Sequence, residues 1–501
     1  MRARKVKSAG GPGASRALGW SLLNTAVSKV GGLGIGIVLA RVLGPEAFGT
    51  YAVAFVALAA VLSFNDIGVS LAIVRWPGDP RAIASTVTTI SVIGSTLVFV
   101  GGYLAAAPFA EAMGDPTATP VVRLLLVSVL IDGFVATPAA LLQREFKQGT
   151  RMIVDQSNVW VGAIVSVALA LTGFGAMSLA IGRLAGTVVS AVLLFAFSPL
   201  PFRFGWDREH VRPLLVFGLP LAGSSIIVFA VGYADQLVVG NILGATMLSF
   251  YVLAFNLSSW PVSVFSQPLR SVAPAAFSRL QHDPEQMRTT FLALMRVLAA
   301  VAIPVCFFIS GAAHPIVEFV YGEQWIPAES ALTWLAALAA FRIVFELSYD
   351  YLVVKKRSGS LLVVQVIWLI ALVPALLVGA LFHGIAGVGM AQVAVSLVVV
   401  TPIYLWRLAR AGVSARSVGS RVWLPLVAGF VVWGESWLLA QTIPNPFLAA
   451  FLAGIIALAI IGLLVLRERA TIALFRTLGT SAVPVDDAIG PETAFDRGMT
   501  I

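Results

Sequence analysis

Charged residues are scarce in this chain of 501 residues. Asp, Glu, Lys and Arg make up 11% of it, against about a quarter in soluble globular proteins, while hydrophobic residues make up 59% and mean hydropathy is +0.93. So few charges exclude a soluble globular protein. The apolar runs are about twenty residues long, which suits helices that cross a hydrocarbon layer and not the short alternating strands of a membrane β-barrel. We therefore predict an all-α integral membrane protein.

Cysteine and histidine are also rare. The single cysteine, Cys306, excludes an intrachain disulfide and a cysteine metal site, and the four histidines are scattered. The net charge of +9 would by itself suit nucleic acid, but the basic residues lie at one set of helix ends, so we predict no nucleic-acid partner. We also predict no metal and no cofactor.

One stretch of the sequence occurs twice, 200 residues apart. Residues 42–55 (VLGPEAFGTYAVAF) return as residues 242–255 (ILGATMLSFYVLAF), with Leu-Gly, Tyr and Ala-Phe at matching places. A long apolar segment precedes the Leu-Gly and another follows the Tyr in each copy. The pattern predicts a tight turn between two helices and a duplicated membrane bundle, since internal repeats are typical of transporter folds.

Hydropathy and turn signals predict about fourteen membrane helices. The first set of six lies at roughly 17–40, 48–71, 84–107, 121–142, 153–172 and 175–198. The second set lies at roughly 214–241, 248–270, 289–311, 329–352, 360–382 and 385–406. Two further helices follow at roughly 422–440 and 446–466.

Lys and Arg lie on one side of the predicted bundle. Alternate connections and both chain ends carry them in groups, whereas the opposite connections offer little beyond Arg41. By the positive-inside rule the basic side is cytoplasmic, so both termini are cytoplasmic and the number of helices is even.

The predicted repeats define the domains. Six helices per repeat give both copies the same orientation in the membrane, related by a pseudo-twofold axis along the membrane normal, with the substrate cavity between them. We predict an N-terminal six-helix lobe (1–212), a C-terminal six-helix lobe (213–406), an additional helix pair (407–466) and a disordered cytoplasmic tail (467–501).

Four motifs resemble one known family in their order and spacing: residues 40–51 (ARVLGPEAFGTY), 141–146 (LLQREF), 235–244 (DQLVVGNILG) and 321–325 (YGEQW). The chain is similar in these motifs to the polysaccharide-transporter (Wzx-type) flippases of the MOP exporter superfamily. The LLQR element resembles the branch of colanic acid and teichuronic acid exporters, with a departure at Lys147. The resemblance implies translocation of undecaprenyl-pyrophosphate-linked oligosaccharide from the inner to the outer leaflet of a bacterial plasma membrane.

Five cations fall within predicted helices: Lys29, Arg123, Arg183, Arg296 and Arg342. A charge in the hydrocarbon layer is costly unless it is paired or faces water. A cavity lined by such cations suits a polyanionic head group such as pyrophosphate, which needs charge-assisted donors in place of water. We therefore expect these five residues to bind substrate.

A structural alternative is that these cations pair with buried carboxylates. It is strongest for Arg342, which has Glu346 one turn further along and Asp350 another, because i, i+4 pairs satisfy each other. Arg123 lies near a helix end, from which it can extend to the interface.

Carboxylates within the predicted helices are candidates for ion coupling: Asp66, Asp132, Asp235 and Glu346. An intramembrane carboxylate carries a proton or a sodium ion, or it neutralises a nearby arginine. The sequence leaves both roles open. Asp235 is the first candidate for coupling, because it lies in the element that resembles the family.

Two other patterns have simpler interpretations. The glycine-rich stretch 31–36 resembles a dinucleotide loop, but it lies within a membrane helix, where small residues serve helix packing. Trp325, near a predicted helix end, is expected to be an interface anchor or, alternatively, a residue that stacks on sugar.

We predict a flippase for polyprenyl-pyrophosphate-linked oligosaccharide that works by alternating access, with Na⁺ or H⁺ coupling and polysaccharide polymerase machinery as a partner. The alternatives are a lipid II flippase or a drug/cation antiporter of the same superfamily. Five intramembrane cations argue against cationic drugs. A membrane glycosyltransferase, polymerase or ligase is a further alternative, but the sequence has neither a DxD pair nor a sizeable loop to hold catalytic residues. We therefore predict that the protein is not an enzyme.

Overall fold

The computed structural model describes residues 12–65, 69–76, 78–145, 147–355 and 359–469. These residues are almost entirely helical, as predicted. The helices of the first half are α1 (Pro12–Asn65), α2 (Val69–Arg75), α3 (Arg81–Ala112), α4 (Thr119–Arg144), α5 (Gln148–Leu171) and α6 (Ala176–Phe197). Those of the second half are α7 (Arg208–Arg279), α8 (Pro284–Gly311), α9 (Ala313–Tyr321), α10 (Ala328–Val354), α11 (Gly359–Val395), α12 (Thr401–Arg410), α13 (Ala415–Thr442) and α14 (Pro446–Arg467). Short 3₁₀ turns precede α4 and α10, and a π-helical segment, Ser396–Val400, joins α11 to α12.

Eleven helices among the described residues are long and apolar enough to cross a membrane. The all-α membrane class is therefore confirmed. The basic residues 1–11 and the predicted tail from residue 470 onward lie outside the described part of the chain.

Two of the long helices are broken at the repeated motif. In α1, Gly44 has φ 72° and ψ 173°, and in α7, Gly244 has φ 83° and ψ 175°. A straight helix of the 54 residues of α1 would measure about 80 Å, far more than the hydrocarbon layer. Each glycine adopts a positive φ that other residues rarely tolerate, so the chain turns there. The predicted turn between two helices is confirmed in both copies.

A second pair of glycines repeats in the same way. Gly175, before α6, has φ 56° and ψ −137°, and Gly384, within α11, has φ 57° and ψ −140°. The two glycines are 209 residues apart. Two unusual backbone conformations thus each occur twice, separated by nearly the same number of residues along the chain, which supports a duplicated bundle.

The helices extend past several of the predicted boundaries. For example, α3 begins at Arg81 and ends at Ala112, where the hydropathy pattern predicted roughly 84–107. The connection after α8, predicted to be a loop, contains the short helix α9 and the 3₁₀ turn Glu323–Trp325. The ends of membrane helices are polar enough to escape a hydropathy window, and a nine-residue helix is too short for it.

The position of Trp325 differs from the predicted one. Its side chain is fully buried, with the ring edge-on to Phe48 at 5.5 Å and to Phe250 at 5.8 Å between centroids. The indole Nε1 donates to the carbonyl oxygen of Ala40 at 3.1 Å. Trp325 is therefore neither an interface anchor nor an exposed sugar platform, because it packs where the two repeats meet.

Candidate functional site

The first repeat holds a cluster of polar side chains around Arg183 of α6. The guanidinium hydrogen-bonds to the hydroxyl of Tyr51 and lies over the ring of Phe55, 5.3 Å from its centroid. It is also within electrostatic range of Asp132 on α4. The structure thus brings together two residues that the sequence proposed for different roles, Arg183 for substrate and Asp132 for ion coupling.

Close packing of α5 on α6 fixes the position of this arginine. A Cβ atom added to Gly182 would lie 2.5 Å from the carbonyl oxygen of Gly162, and one added to Gly186 would lie 2.4 Å from that of Asn158. Only glycine permits so short a distance between two helix backbones. Arg183 lies between these two contact points, so its backbone has little freedom to move.

The second repeat holds a cluster around Asp235 of α7, whose side chain is 5% exposed. Its Oδ2 atom accepts from the hydroxyl of Tyr251 at 2.7 Å and from the side-chain Nε2 of Gln392 at 2.9 Å, and Oδ1 accepts from the backbone N–H of Gln236 at 2.8 Å. Three protein donors thus satisfy a carboxylate that is removed from water.

Arg342 of α10 completes the second cluster. Its guanidinium lies over the ring of Phe255 at 5.6 Å, and it is within electrostatic range of Asp235. Arg342 and Glu346 both line a cavity of about 420 Å³, together with the aromatic side chains Tyr349 and Trp368. Within the described part of the chain, no ion pair joins Arg342 to Glu346, so the pairing considered from the sequence does not occur.

The two clusters share their aromatic residues at equivalent positions but carry their charges at different ones. Tyr51 and Tyr251 are 200 residues apart, as are the two phenylalanines under the arginines. Arg183 follows Gly175 by eight residues, and Gln392 follows Gly384 by eight. The equivalent position in the two repeats thus carries the cationic Arg183 beside Tyr51 and the neutral Gln392 beside Tyr251.

Tyr233 of α7 lies between the two clusters, since it is within electrostatic range of both Arg183 and Asp235.

Sequence reasoning treated Tyr51 and Tyr251 as markers of the repeat and did not single out Gln392. The equal spacing from the two glycines was a signal that could have found Gln392.

The other predicted site residues lie elsewhere. The guanidinium of Arg123 lies over the ring of Tyr103, 4.6 Å from its centroid. Arg296 of α8 forms an ion pair with Glu468, which follows α14, with 2.5 Å between Nη2 and Oε1. The structure therefore does not bring these two cations to the clusters, and their contact with substrate stays a prediction. Lys29 lies on α1, but its side chain is outside the described residues, as is Asp66 altogether.

At one end of the bundle, the Gly44 end, the two repeats are in direct contact. Arg41 donates from Nε to the carbonyl oxygen of Val320 at 2.9 Å and from Nη2 to that of Phe319 at 2.5 Å. Gly49 of the first motif approaches Ala245 of the second so closely that an added Cβ would lie 2.4 Å from the carbonyl oxygen. The bundle is therefore closed at the end that carries the repeated turns.

The clusters suit the binding of an anion and the movement of a cation. A guanidinium offers planar donors that match phosphate oxygens, and each repeat supplies one. A buried carboxylate such as Asp235 binds a proton or a metal cation. The described residues contain no group of three or more side chains suited to hold a metal ion.

Comparison with solved structures shows the same fold in two transporters. The structure superposes on the lipid II flippase MurJ in its inward closed conformation with a TM-score of 0.71, at 14% identity, over 91% of this chain and 98% of that one. It superposes on an inward-facing multidrug resistance MATE family transporter of the MOP superfamily with a TM-score of 0.63, at 17% identity, over 77% and 94% of the two chains.

Comparison of sequences identifies relatives and a family. The succinoglycan biosynthesis transport protein ExoT of Rhizobium meliloti is 27% identical over 64% of this chain and 65% of its own length. The lipopolysaccharide biosynthesis protein WzxC of Escherichia coli is 25% identical over 76% and 77%, and the teichuronic acid biosynthesis protein TuaB of Bacillus subtilis is 22% identical over 58% and 61%. Residues 38–330 match the family described as Polysaccharide biosynthesis protein. The chain belongs to that family of polysaccharide biosynthesis proteins.

Proposed function

We propose that this protein is a flippase in a bacterial plasma membrane, which moves polyprenyl-pyrophosphate-linked oligosaccharide from the inner to the outer leaflet for cell-surface polysaccharide synthesis. The observation that carries the proposal is the pair of arginines, Arg183 and Arg342, held over equivalent phenylalanines in the two repeats. One arginine from each repeat gives a pyrophosphate a donor in both lobes. The names of the relatives ExoT, WzxC and TuaB, all proteins of polysaccharide biosynthesis, support the substrate class.

The proposed topology has fourteen membrane crossings. The breaks at Gly44, Gly244 and Gly384 each divide one of the eleven long candidate helices into two segments, which supports this number. The distribution of Lys and Arg supports cytoplasmic termini. The two six-helix lobes would then be residues 1–212 and 213–406, followed by the helix pair 407–466.

In this topology the Gly44 end faces outward. Contacts between the repeats at that end, including those of Arg41 and Gly49, close the route to the outer leaflet. The head group would enter from the inner side, exchange its water for the two arginines, and leave outward after the lobes rock apart at the Gly44 end. The lipid tail would remain in the bilayer throughout.

Asp235 is the proposed coupling residue. Its carboxylate is buried, satisfied by three donors and within electrostatic range of Arg342, so a change in its charge alters the field at the substrate arginine. Binding of a proton or of Na⁺ would thereby be linked to binding of the head group. We propose transport without covalent chemistry, and delivery of the flipped substrate to polysaccharide polymerase machinery.

The buried Asp235 also favours a second candidate function, a cation antiporter. In that case the carboxylate cluster would be the transport site and the arginines would serve structure.

Leaflet translocation in proteoliposomes separates the two. The flippase proposal predicts protein-dependent flipping of a fluorescent polyprenyl-pyrophosphate oligosaccharide, with loss in Arg342→Gln. Efflux of a small cation without any flipping would establish the antiporter instead.

A further inference from the structure

A cavity of about 460 Å³ lies away from the two clusters, between α3, α4 and the connection 198–207 that joins the repeats. Two arginines belong to its lining, Arg81 at the start of α3 and Arg203 in the connection. Four hydroxyl side chains contribute as well: Ser85, Thr88, Thr137 and Ser198. The cavity therefore combines two cations with several neutral hydrogen-bonding groups.

The connection is held in place beside α3. The hydroxyl of Thr89 lies 2.8 Å from the carbonyl oxygen of Gly205 and 3.0 Å from its amide nitrogen, and the amide of Asp207 donates to the hydroxyl of Thr86 at 3.2 Å. A Cβ added to Gly205 would lie 2.5 Å from Oγ of Ser85, so this approach requires glycine. Arg203 thus projects from a backbone fixed to α3, which bears Arg81.

These two arginines have no partner for their charge in the described part of the chain. Both are exposed, and neither belongs to an ion pair there; the carboxylate of Asp79 accepts only the backbone amide of Arg81. Arg144 nearby is different, because its guanidinium donates to the carbonyl oxygens of Ile73, Trp76 and Gly78. Two guanidinium groups without a carboxylate partner at one cavity favour a bound anion.

Exposed aromatic residues indicate the depth of the cavity in the membrane. Phe202, Phe204 and Trp206 of the same connection are 37%, 59% and 56% exposed. Tryptophan is enriched where the hydrocarbon meets the polar head groups. The exposed Trp206 therefore supports a position of the cavity near that boundary, on the side of the membrane that the connection occupies.

We propose that this cavity binds the phosphodiester of an anionic phospholipid, with Arg81 and Arg203 as its charged contacts. A phosphate between them would receive donors from both guanidinium groups. The bound lipid would bridge α3 to the connection between the repeats, and so hold the lobes at one relative position. In the topology proposed above, this lipid belongs to the inner leaflet.

Native mass spectrometry of the full chain in detergent tests the proposal without any measurement of flipping. Phosphatidylglycerol and phosphatidylcholine are titrated onto the wild type, onto Arg81→Gln/Arg203→Gln, and onto Arg208→Gln/Arg416→Gln. The last variant removes the same charge from two exposed arginines outside the cavity lining. Each basic residue near an anionic lipid contributes roughly fivefold to binding.

We expect phosphatidylglycerol to bind about 30-fold more weakly to the cavity variant, with little change in the control variant. Equal affinity of the two variants, or equal binding of phosphatidylcholine and phosphatidylglycerol by the wild type, would overturn the proposal. Binding of glycerol 3-phosphate as tight as that of the lipid would overturn the assignment to a lipid and make a soluble phosphate the ligand. If the double variant does not fold, Arg203→Gln is compared with Arg416→Gln.

Discussion

Gly49→Ala should separate the two repeats at the Gly44 end. The added Cβ would lie 2.4 Å from the carbonyl oxygen and 2.8 Å from the carbonyl carbon of Ala245, and 3.3 Å from the amide nitrogen of Thr246. A carbon and an oxygen in ordinary contact are at least about 3.3 Å apart, so the backbones must move apart by about 1 Å. The obstacle is backbone, which cannot rotate away as a side chain can.

Such overpacking costs about 1 to 3 kcal/mol, which lowers the equilibrium constant for the closed contact by a factor of about 5 to 150. Electron paramagnetic resonance measures the distance between spin labels on the exposed residues Glu111 and Met247, one in each repeat. Cys306 is buried and does not compete for the label. Gly49→Ala should add a population at longer distance. Gly101→Ala is the matched control, because its added Cβ meets nothing within 4 Å.

The reasoning would be refuted by a distance distribution in Gly49→Ala that equals those of Gly101→Ala and the wild type. That result would mean that the backbone adjusts locally at the contact between the two motifs and that the repeats do not separate.

Three further predictions concern single side chains. Trp325→Phe removes the donor to the carbonyl oxygen of Ala40, which costs about 1 to 3 kcal/mol, and should shift the same spin-label distances; an unchanged distribution would contradict this. Arg296→Gln and Glu468→Gln should each lower the melting temperature, since each breaks the ion pair between these two residues, whereas a loss of transport in the arginine variant alone would show a substrate contact. Asp235→Asn keeps an acceptor for Tyr251 and Gln392 and should fold but transport more slowly, and unchanged transport would reject the coupling role.

The helical class and the duplication could be predicted from the sequence, because both depend on local signals. Apolar runs of about twenty residues reveal membrane helices without knowledge of their packing. The Leu-Gly turn repeats because both copies need a glycine with positive φ, at Gly44 and Gly244. The short helix α9 was missed because its nine residues are too few for a hydropathy window.

The candidate site was predicted only in part. A charge within an apolar run is visible in the sequence, so Arg183, Arg342 and Asp235 could be named as candidates. What each charge contacts depends on which helices pack together, so the sequence could not distinguish the ion pair of Arg296 with Glu468 from a substrate contact. Gln392 was missed because a single uncharged side chain does not stand out from an apolar run in a hydropathy profile.

Flipping of a fluorescent polyprenyl-pyrophosphate oligosaccharide in proteoliposomes tests the central claim most directly. Wild type is compared with Arg183→Gln, Arg342→Gln and the control Arg416→Gln, which removes an exposed charge outside both clusters. The account predicts rapid flipping by the wild type and the control, and loss of about tenfold or more in each cluster variant, since a charge-assisted hydrogen bond contributes about 1.5 to 3 kcal/mol. Flipping by both cluster variants at the rate of the control would contradict the account.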